Sequence, residues 1–230
     1  GGVVYMNLET KVTKGVPLPV DGQPVPIRVA EKGPDGAIYM SGYPGGSGTK
    51  YDPETGEMVS FGMGQAEGMA SIGDKLYLGV YSGAVIYELD VTQPIALKQL
   101  FRIEGEDRPF MMTSGNGKLF IGTIPDYGEL GGALTIYDPE TGEHETYHDV
   151  IHNQSIVGLA YHDGKLYGST SVDGGEGINP TERAAKMFVW DLATNEKVME
   201  WVPDLPGATS IPDMISGLTI GPYGLLWGAA

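Results

Sequence analysis

The chain has 230 residues, with 30 acidic against 14 basic side chains and a net charge of −16. A surface this acidic repels phosphate backbones and anionic lipid, which argues against nucleic-acid binding and against a membrane-surface role. There is no cysteine, so disulfides, thiolate nucleophiles and cysteine-ligated zinc are excluded, and no apolar run approaches the roughly 18 residues of a membrane-spanning helix.

The length allows one large all-β domain or two small ones. Glycine (36) and proline (16) lie between apolar runs and are not clustered, as frequent tight turns require. The chain opens on Gly1-Gly2 without an initiator Met, which reads as a processed protein or an excised domain, and no signal peptide is visible.

In chain order the first element is a strand–turn–strand, "VVYMNLETKVTKGV", with Asn7 and Thr10 at its turn. Next come an apolar strand, "IRVAEK", a hairpin and aromatic strand, "GPDGAIYMSG", and a strand running into "YDPETGE" at Tyr51–Glu57. That heptad returns unchanged at Tyr137–Glu143. Asp before Pro starts a turn because its carboxylate accepts backbone N–H groups two or three residues on, Pro presets φ, and the Gly tolerates positive φ. The heptad therefore reads as strand, tight turn, strand. Weaker copies sit at "IYELDVTQPIALKQL", with Asp90 and Thr92, and at "FVWDLATNEKVMEW", with Asp191 and with Asn195 in the glycine place. The turn anchors Asn7, Asp52, Asp90, Asp138 and Asp191 are spaced 45, 38, 48 and 53 residues apart. A second motif runs in phase: "IGDKLYLGV", "GNGKLFIGT", "HDGKLYGST" and "GPYGLLWGA" repeat the hairpin and aromatic strand, giving anchors at Tyr39, Tyr77, Phe120, Tyr167 and Trp227. The best helical candidate, "PTERAAKMF", is short and lies inside a loop.

Four short antiparallel strands per roughly 40–50 residues is the pattern of a β-propeller blade. The N-terminus supplies only the outer half of a unit and the C-terminus only the inner half. Joined, they complete a fifth blade, which predicts an all-β, five-bladed propeller closed by its N- and C-terminal strands. The blades fall at about 21–64, 65–108, 109–154, 155–214, and 215–230 with 1–20. The rival reading is a piece of a six- or seven-bladed ring.

The "DPxTG" turns and the "GPDGAIYM" and "GPYGLLWG" strands resemble the repeats of bacterial propellers of the virginiamycin B lyase-like, SMP-30-like and quinoprotein-like kinds. The resemblance covers almost the whole chain and implies the fold. The lyase works with a metal, histidine and carboxylates, and no such set maps here residue by residue. The segment from Tyr161 to Asp191 is similar to secreted bacterial propellers, which implies an extracellular or cell-surface location.

In a propeller, ligands meet the face made by the loops that lead into the innermost strands and by the loops joining second to third strands. The polar groups nearest that channel mouth are Arg28, Glu67, Arg108, Gln154 and Asp213, with Tyr43, Tyr81 and Tyr127 as aromatic platforms. Such a set suits a sugar or another small polar ligand. The plainer alternative is a ring of hydrated loop residues. His144 and His148 fall on one face of an outer strand about 13 Å apart, too far to share a metal, which leaves His152 as the histidine near the mouth. No metal site and no cofactor are expected. The "DGGEG" loop with Glu129 or Asp126 offers oxygen ligands that would suit Ca2+, and a flexible acidic loop is the simpler reading. No P-loop and no GxSxG elbow occurs. A glycosidase would need two opposed acids, for which Glu67 and Asp213 are the candidates, neither in a recognisable motif. The expectation is thus a non-catalytic module, a monomeric domain that binds a carbohydrate, a small polar ligand or a protein partner. A polysaccharide lyase or glycoside hydrolase is the second reading, and a structural module of a larger surface protein is the third.

Overall fold

The computed structural model describes residues 2–17 and 25–230. Much of the first blade's leading loop, where the sequence reads "PLPVDGQPVPIR", lies outside the described residues. Among the described residues twenty strands occur, and the only helical element is a single 3-10 turn at Pro222–Gly224. The chain opens with a hairpin, β1 (Gly2–Met6) and β2 (Thr13–Pro17). Blade one follows, with β3 (Ile27–Lys32), β4 (Ile38–Gly42), β5 (Ser47–Tyr51) and β6 (Met58–Gly62). Blade two holds β7 (Gln65–Ile72), β8 (Lys75–Tyr81), β9 (Val85–Asp90) and β10 (Leu97–Arg102). Blade three holds β11 (Glu106–Gly115), β12 (Lys118–Pro125), β13 (Leu134–Asp138) and β14 (Glu143–Tyr147). Blade four holds β15 (Ser155–His162), β16 (Lys165–Ser171), β17 (Met187–Asp191) and β18 (Glu196–Trp201), and a last hairpin pairs β19 (Ser216–Ile220) with β20 (Leu226–Ala229). Each blade is one antiparallel sheet in sequence order.

The repeated turns form as their chemistry requires. Asp52 Oδ1 accepts the N–H groups of Glu54 and Thr55 at 2.8 and 3.2 Å, and Asp138 Oδ1 accepts that of Glu140 at 2.9 Å. Gly56 then takes φ 78°, the left-handed value that only glycine adopts without cost, and Asn195 substitutes for it at φ 53°. In the hairpin before β3 the same job is done by Asn7, whose Oδ1 accepts from Glu9 and Thr10 at 2.9 and 2.8 Å.

The core lies between blades. In blades one to three the aromatic of the second strand shares a buried cluster with the following blade: Tyr39 with Met63, Leu76 and Leu78, Tyr77 with Leu119, Ile121 and Tyr137, and Phe120 with Ile156 and Phe188. All three aromatics are at most 1% exposed. Burying each such side chain contributes about 1.5–3 kcal/mol. Blade four closes tightly around Gly168, where an added Cβ would stand 2.0 Å from the Phe188 ring.

The ends depart from expectation. The strand content is that of five four-stranded blades, yet the two half-blades do not join: β1 pairs only with β2 and β19 only with β20 among the described residues. Leu218 of β19 packs with Ala160, Ala185 and Ile215, so the C-terminal hairpin continues the arc beyond blade four. Val4, Tyr5 and Met6 are 69%, 52% and 48% exposed, and Trp227 is 57% exposed, because no other strand among the described residues covers them. Strand pattern specifies which half of a blade a segment resembles. It does not specify the edge that segment will pair with.

Candidate functional site

The inner strands carry one irregularity in common. The ladder slips between Ile27 and Val29 in β3, between Ala66 and Gly68 in β7, and between Ile156 and Gly158 in β15. In β11 it slips on both sides of Arg108. A bulge frees one residue from strict alternation and re-aims its side chain. The freed residues are Arg28 in blade one, Glu67 in blade two and Val157 in blade four. Sequence patterning assigned Arg28, Glu67 and Arg108 to leading loops. All three lie on the strands themselves, which gives them a rigid base.

Three blades meet at Glu67. Its side chain is fully buried, and Oε2 lies 2.6 Å from both Nε and Nη2 of Arg28. Oε1 accepts from Arg108 Nη1 at 3.0 Å and from Gln65 Nε2 at 2.6 Å. A carboxylate stripped of water is tolerated only when paired and hydrogen-bonded to this extent. The arginines are also held by rings: Arg28 Cζ is 4.9 Å from the Phe110 centroid and Arg108 Cζ is 4.1 Å from that of Tyr81. Tyr81 meets Tyr127 hydroxyl to hydroxyl at 3.1 Å. That hydrogen bond, with some burial and the charge of Glu176, pushes the Tyr127 phenol up to about 12. Tyr127 is 56% exposed and forms the outer rim.

The long loop 172–186 of blade four completes the wall. Gly175 N–H donates to Glu129 O and Gly128 N–H donates to Glu176 O, both at 2.9 Å, which lays the loop on blade three. Glu176 then reaches Arg108 Nη2 at 3.5 Å. This is the "DGGEG" segment, and its carboxylate faces a guanidinium. Among the described residues no three His, Asp or Glu side chains converge as a metal site needs.

The other residues singled out from sequence lie elsewhere. Gln154 is buried, accepts from Thr170 Oγ1 and donates to Ala184 O at 3.0 Å, so it pins the base of the long loop. Asp213 is exposed on the segment before β19, where its carbonyl accepts from Val172 N–H at 2.8 Å, and it is not among the partners of Glu67. Tyr43 is 44% exposed and its N–H donates to Pro26 O at 2.9 Å. His152 pairs with Asp149 at 3.0 Å, with its side chain 72% exposed.

A second cluster escaped sequence reading. Glu106, the first residue of β11, is buried at its carboxyl end, accepts from Thr123 Oγ1 at 2.6 Å and meets His148 Nδ1 at 3.1 Å. Burial pushes this carboxyl up to about 7, against the pull of Thr123 and His148. The pair opens on a cavity of about 540 Å3, also lined by Asp126, Tyr127, Glu129 and Asp149. His148 was expected on an outer strand away from the mouth. It stands one residue beyond β14, where the chain turns back toward the inner strand. The dense charge of "EGEDRPF" was the only local signal for Glu106.

No family model matches the chain, and no curated protein matches it in sequence. Solved structures match it in fold. Virginiamycin B lyase from Staphylococcus aureus aligns with a TM-score of 0.71 at 15% identity, over 99% of this chain and 70% of the lyase chain. The fold is a β-propeller. A luciferin-regenerating enzyme aligns at TM-score 0.61 and 15% identity, over 99% of this chain and 73% of that one. The extracellular domain of a one-component system from B. thetaiotaomicron aligns at 0.60 and 16%, over 88% of this chain and 25% of that domain's chain. At such identities the propeller likeness carries architecture and no chemistry.

Proposed function

We propose that this propeller is a non-catalytic binding module whose channel mouth takes a carbohydrate or another small polar ligand. The observation that carries the reading is the platform of Arg108 stacked on Tyr81 at 4.1 Å, extended by the exposed Tyr127 at its rim. A flat aromatic edge beside a fixed fork of N–H donors matches a sugar ring, which presents C–H faces and a hydroxyl periphery. The platform is braced from behind by Glu67, so little side-chain freedom remains to be lost on binding.

The non-catalytic reading is supported by the state of the two acids a hydrolase or lyase would use. Both oxygens of Glu67 are already taken by two guanidinium groups and an amide. Asp213 is exposed on a different segment. An extracellular or cell-surface setting in a bacterium fits the acidic surface, and one structural neighbour is itself an extracellular domain. No helix among the described residues is long and apolar enough to cross a membrane.

The experiment is a glycan-array screen followed by calorimetry, with a parallel product assay on acidic polysaccharides. Retention of a glycan without turnover, lost in Tyr127→Ala, is the expected result. Product release that survives in Tyr127→Ala and stops in Glu67→Gln would replace this reading with the enzymatic one.

A further inference from the structure

Glu106, Asp107 and Arg108 are consecutive, and each fastens a different part of the mouth. Glu106 faces outward within blade three, to Thr123 on β12 and to His148 beyond β14. Asp107 accepts the Gly83 N–H on Oδ1 and the Ala84 N–H on its carbonyl, both at 2.9 Å, so it holds the turn that directly follows Tyr81. Arg108 bridges Glu67 and stacks on Tyr81. The ladder shifts register on both sides of Arg108, so Glu106, Asp107 and Arg108 depart from strict strand alternation and reach three different neighbours. Tyr127 joins the two regions, since it lines the Glu106 cavity and bonds Tyr81.

We propose that protonation of Glu106, held between Thr123 and His148, regulates the Arg108–Tyr81–Tyr127 platform, making ligand affinity at the channel mouth proton-linked. Its consequence for binding rests on the reading above, whereas the coupling within the protein does not.

Two protonation states fit the same heavy-atom positions. Thr123 Oγ1 accepts the Ala133 N–H at 2.8 Å, which leaves its own proton free to point either to Glu106 Oε2 at 2.6 Å or to Ala133 O at 3.2 Å. With Glu106 ionised, Thr123 and His148 Nδ1–H both donate to it. With Glu106 protonated, its hydroxyl donates to one of them, and Thr123 turns to the Ala133 carbonyl. Glu106 can therefore take up or release a proton without displacing its neighbours. The other groups facing it are Asp126, whose charge opposes ionisation, and, in the cavity wall, Glu129 and Asp149. On its own strand stand Asp107 and Arg108. Ionising Glu106 adds a negative charge to a wall already acidic and competes with the ligand for the field of Arg108. A ligand that accepts from Arg108 is then held more weakly above neutrality than below it.

The test is an NMR titration of the whole protein from about pH 5 to pH 9, following the Arg108 Nε–Hε and His148 Cε1–Hε1 signals. Wild type is compared with Glu106→Gln and His148→Asn. The expected result is an Arg108 signal that moves with a midpoint near 7, the value to which burial pushes Glu106, and that loses most of its movement in Glu106→Gln. His148 is half exposed, so His148→Asn folds and shifts the Arg108 midpoint without erasing it. An Arg108 signal that stays flat, or that moves identically in all three proteins, overturns the coupling. For a glycan retained in the screen, the coupling corresponds to about 5-fold or more in affinity between roughly pH 6 and pH 8. A failed screen removes the binding reading and leaves the titration standing. A flat titration removes the coupling and leaves the screen standing.

Discussion

Replacing Glu67 by Gln isolates the ion-pair bridge, because the amide keeps the volume and opens no cavity. The side chain is fully buried, while the side chains of Arg108 and Arg28 are 16% and 33% exposed. Breaking a buried pair by removing one partner costs about 3–5 kcal/mol, most of it from the charge left unpaired. Here the upper end is not reached, since Arg28 can turn toward water and Arg108 keeps Glu176 at 3.5 Å. A loss of about 2–4 kcal/mol follows, and a loss near 3 corresponds to roughly 6–12 °C in Tm for a chain of this size. Urea unfolding followed by circular dichroism at pH 7 reads it as a lower midpoint at unchanged slope. Raising the salt to about 1 M should recover little of it, because burial limits screening. The double variant Glu67→Gln/Arg108→Gln should lose less than the sum of the singles, as partners in contact do. A single-variant loss under about 0.5 kcal/mol, or strict additivity, would refute the bridge as the element that holds three blades together at the mouth.

Glu106 predicts a pH dependence of stability. Its carboxyl ionises near 7 in the fold and near its ordinary 4.5 when unfolded, so between these values the unfolded chain binds fewer protons. Stability should fall as pH rises from about 5 to about 8, by up to roughly 3 kcal/mol, and stay flat in Glu106→Gln; thermal melts across that range check it. Gly168→Ala should destabilise by about 1–3 kcal/mol or more, because the buried Phe188 ring already fills the space the added methyl would take, and its urea midpoint measures the loss. Tyr127→Ala should change stability by less than about 0.5 kcal/mol while abolishing glycan retention, because the ring is a rim group; a cooperative loss of fold would contradict that placement.

The channel-mouth residues show how far patterning reaches. Arg28, Glu67, Arg108, Tyr81 and Tyr127 were legible as a group because the strand–turn period places the start of every inner strand on one face. Their contacts were not legible, since a bulge moves a side chain by one register step and leaves no mark in composition. Gln154 and Asp213 occupied comparable sequence positions, yet one is consumed by Thr170 and Ala184 and the other stands outside the cluster. Glu106 and His148 are 42 residues apart, and nothing local links them.

By itself the amino-acid sequence determined the all-β architecture, the repeat length, the turns at Asn7, Asp52, Asp90, Asp138 and Asp191, and three of the five aromatic anchors, Tyr39, Tyr77 and Phe120, as residues that bury between blades. These follow from alternation and turn chemistry, which act over a few residues. Only the tertiary structure decided that Glu67 is the point where three blades meet, that the long loop of blade four lays Glu176 over Arg108, and that the terminal hairpins remain separate sheets. Those outcomes depend on which surfaces come to face one another across blades, and a strand's own pattern records its buried face without naming the neighbour that buries it.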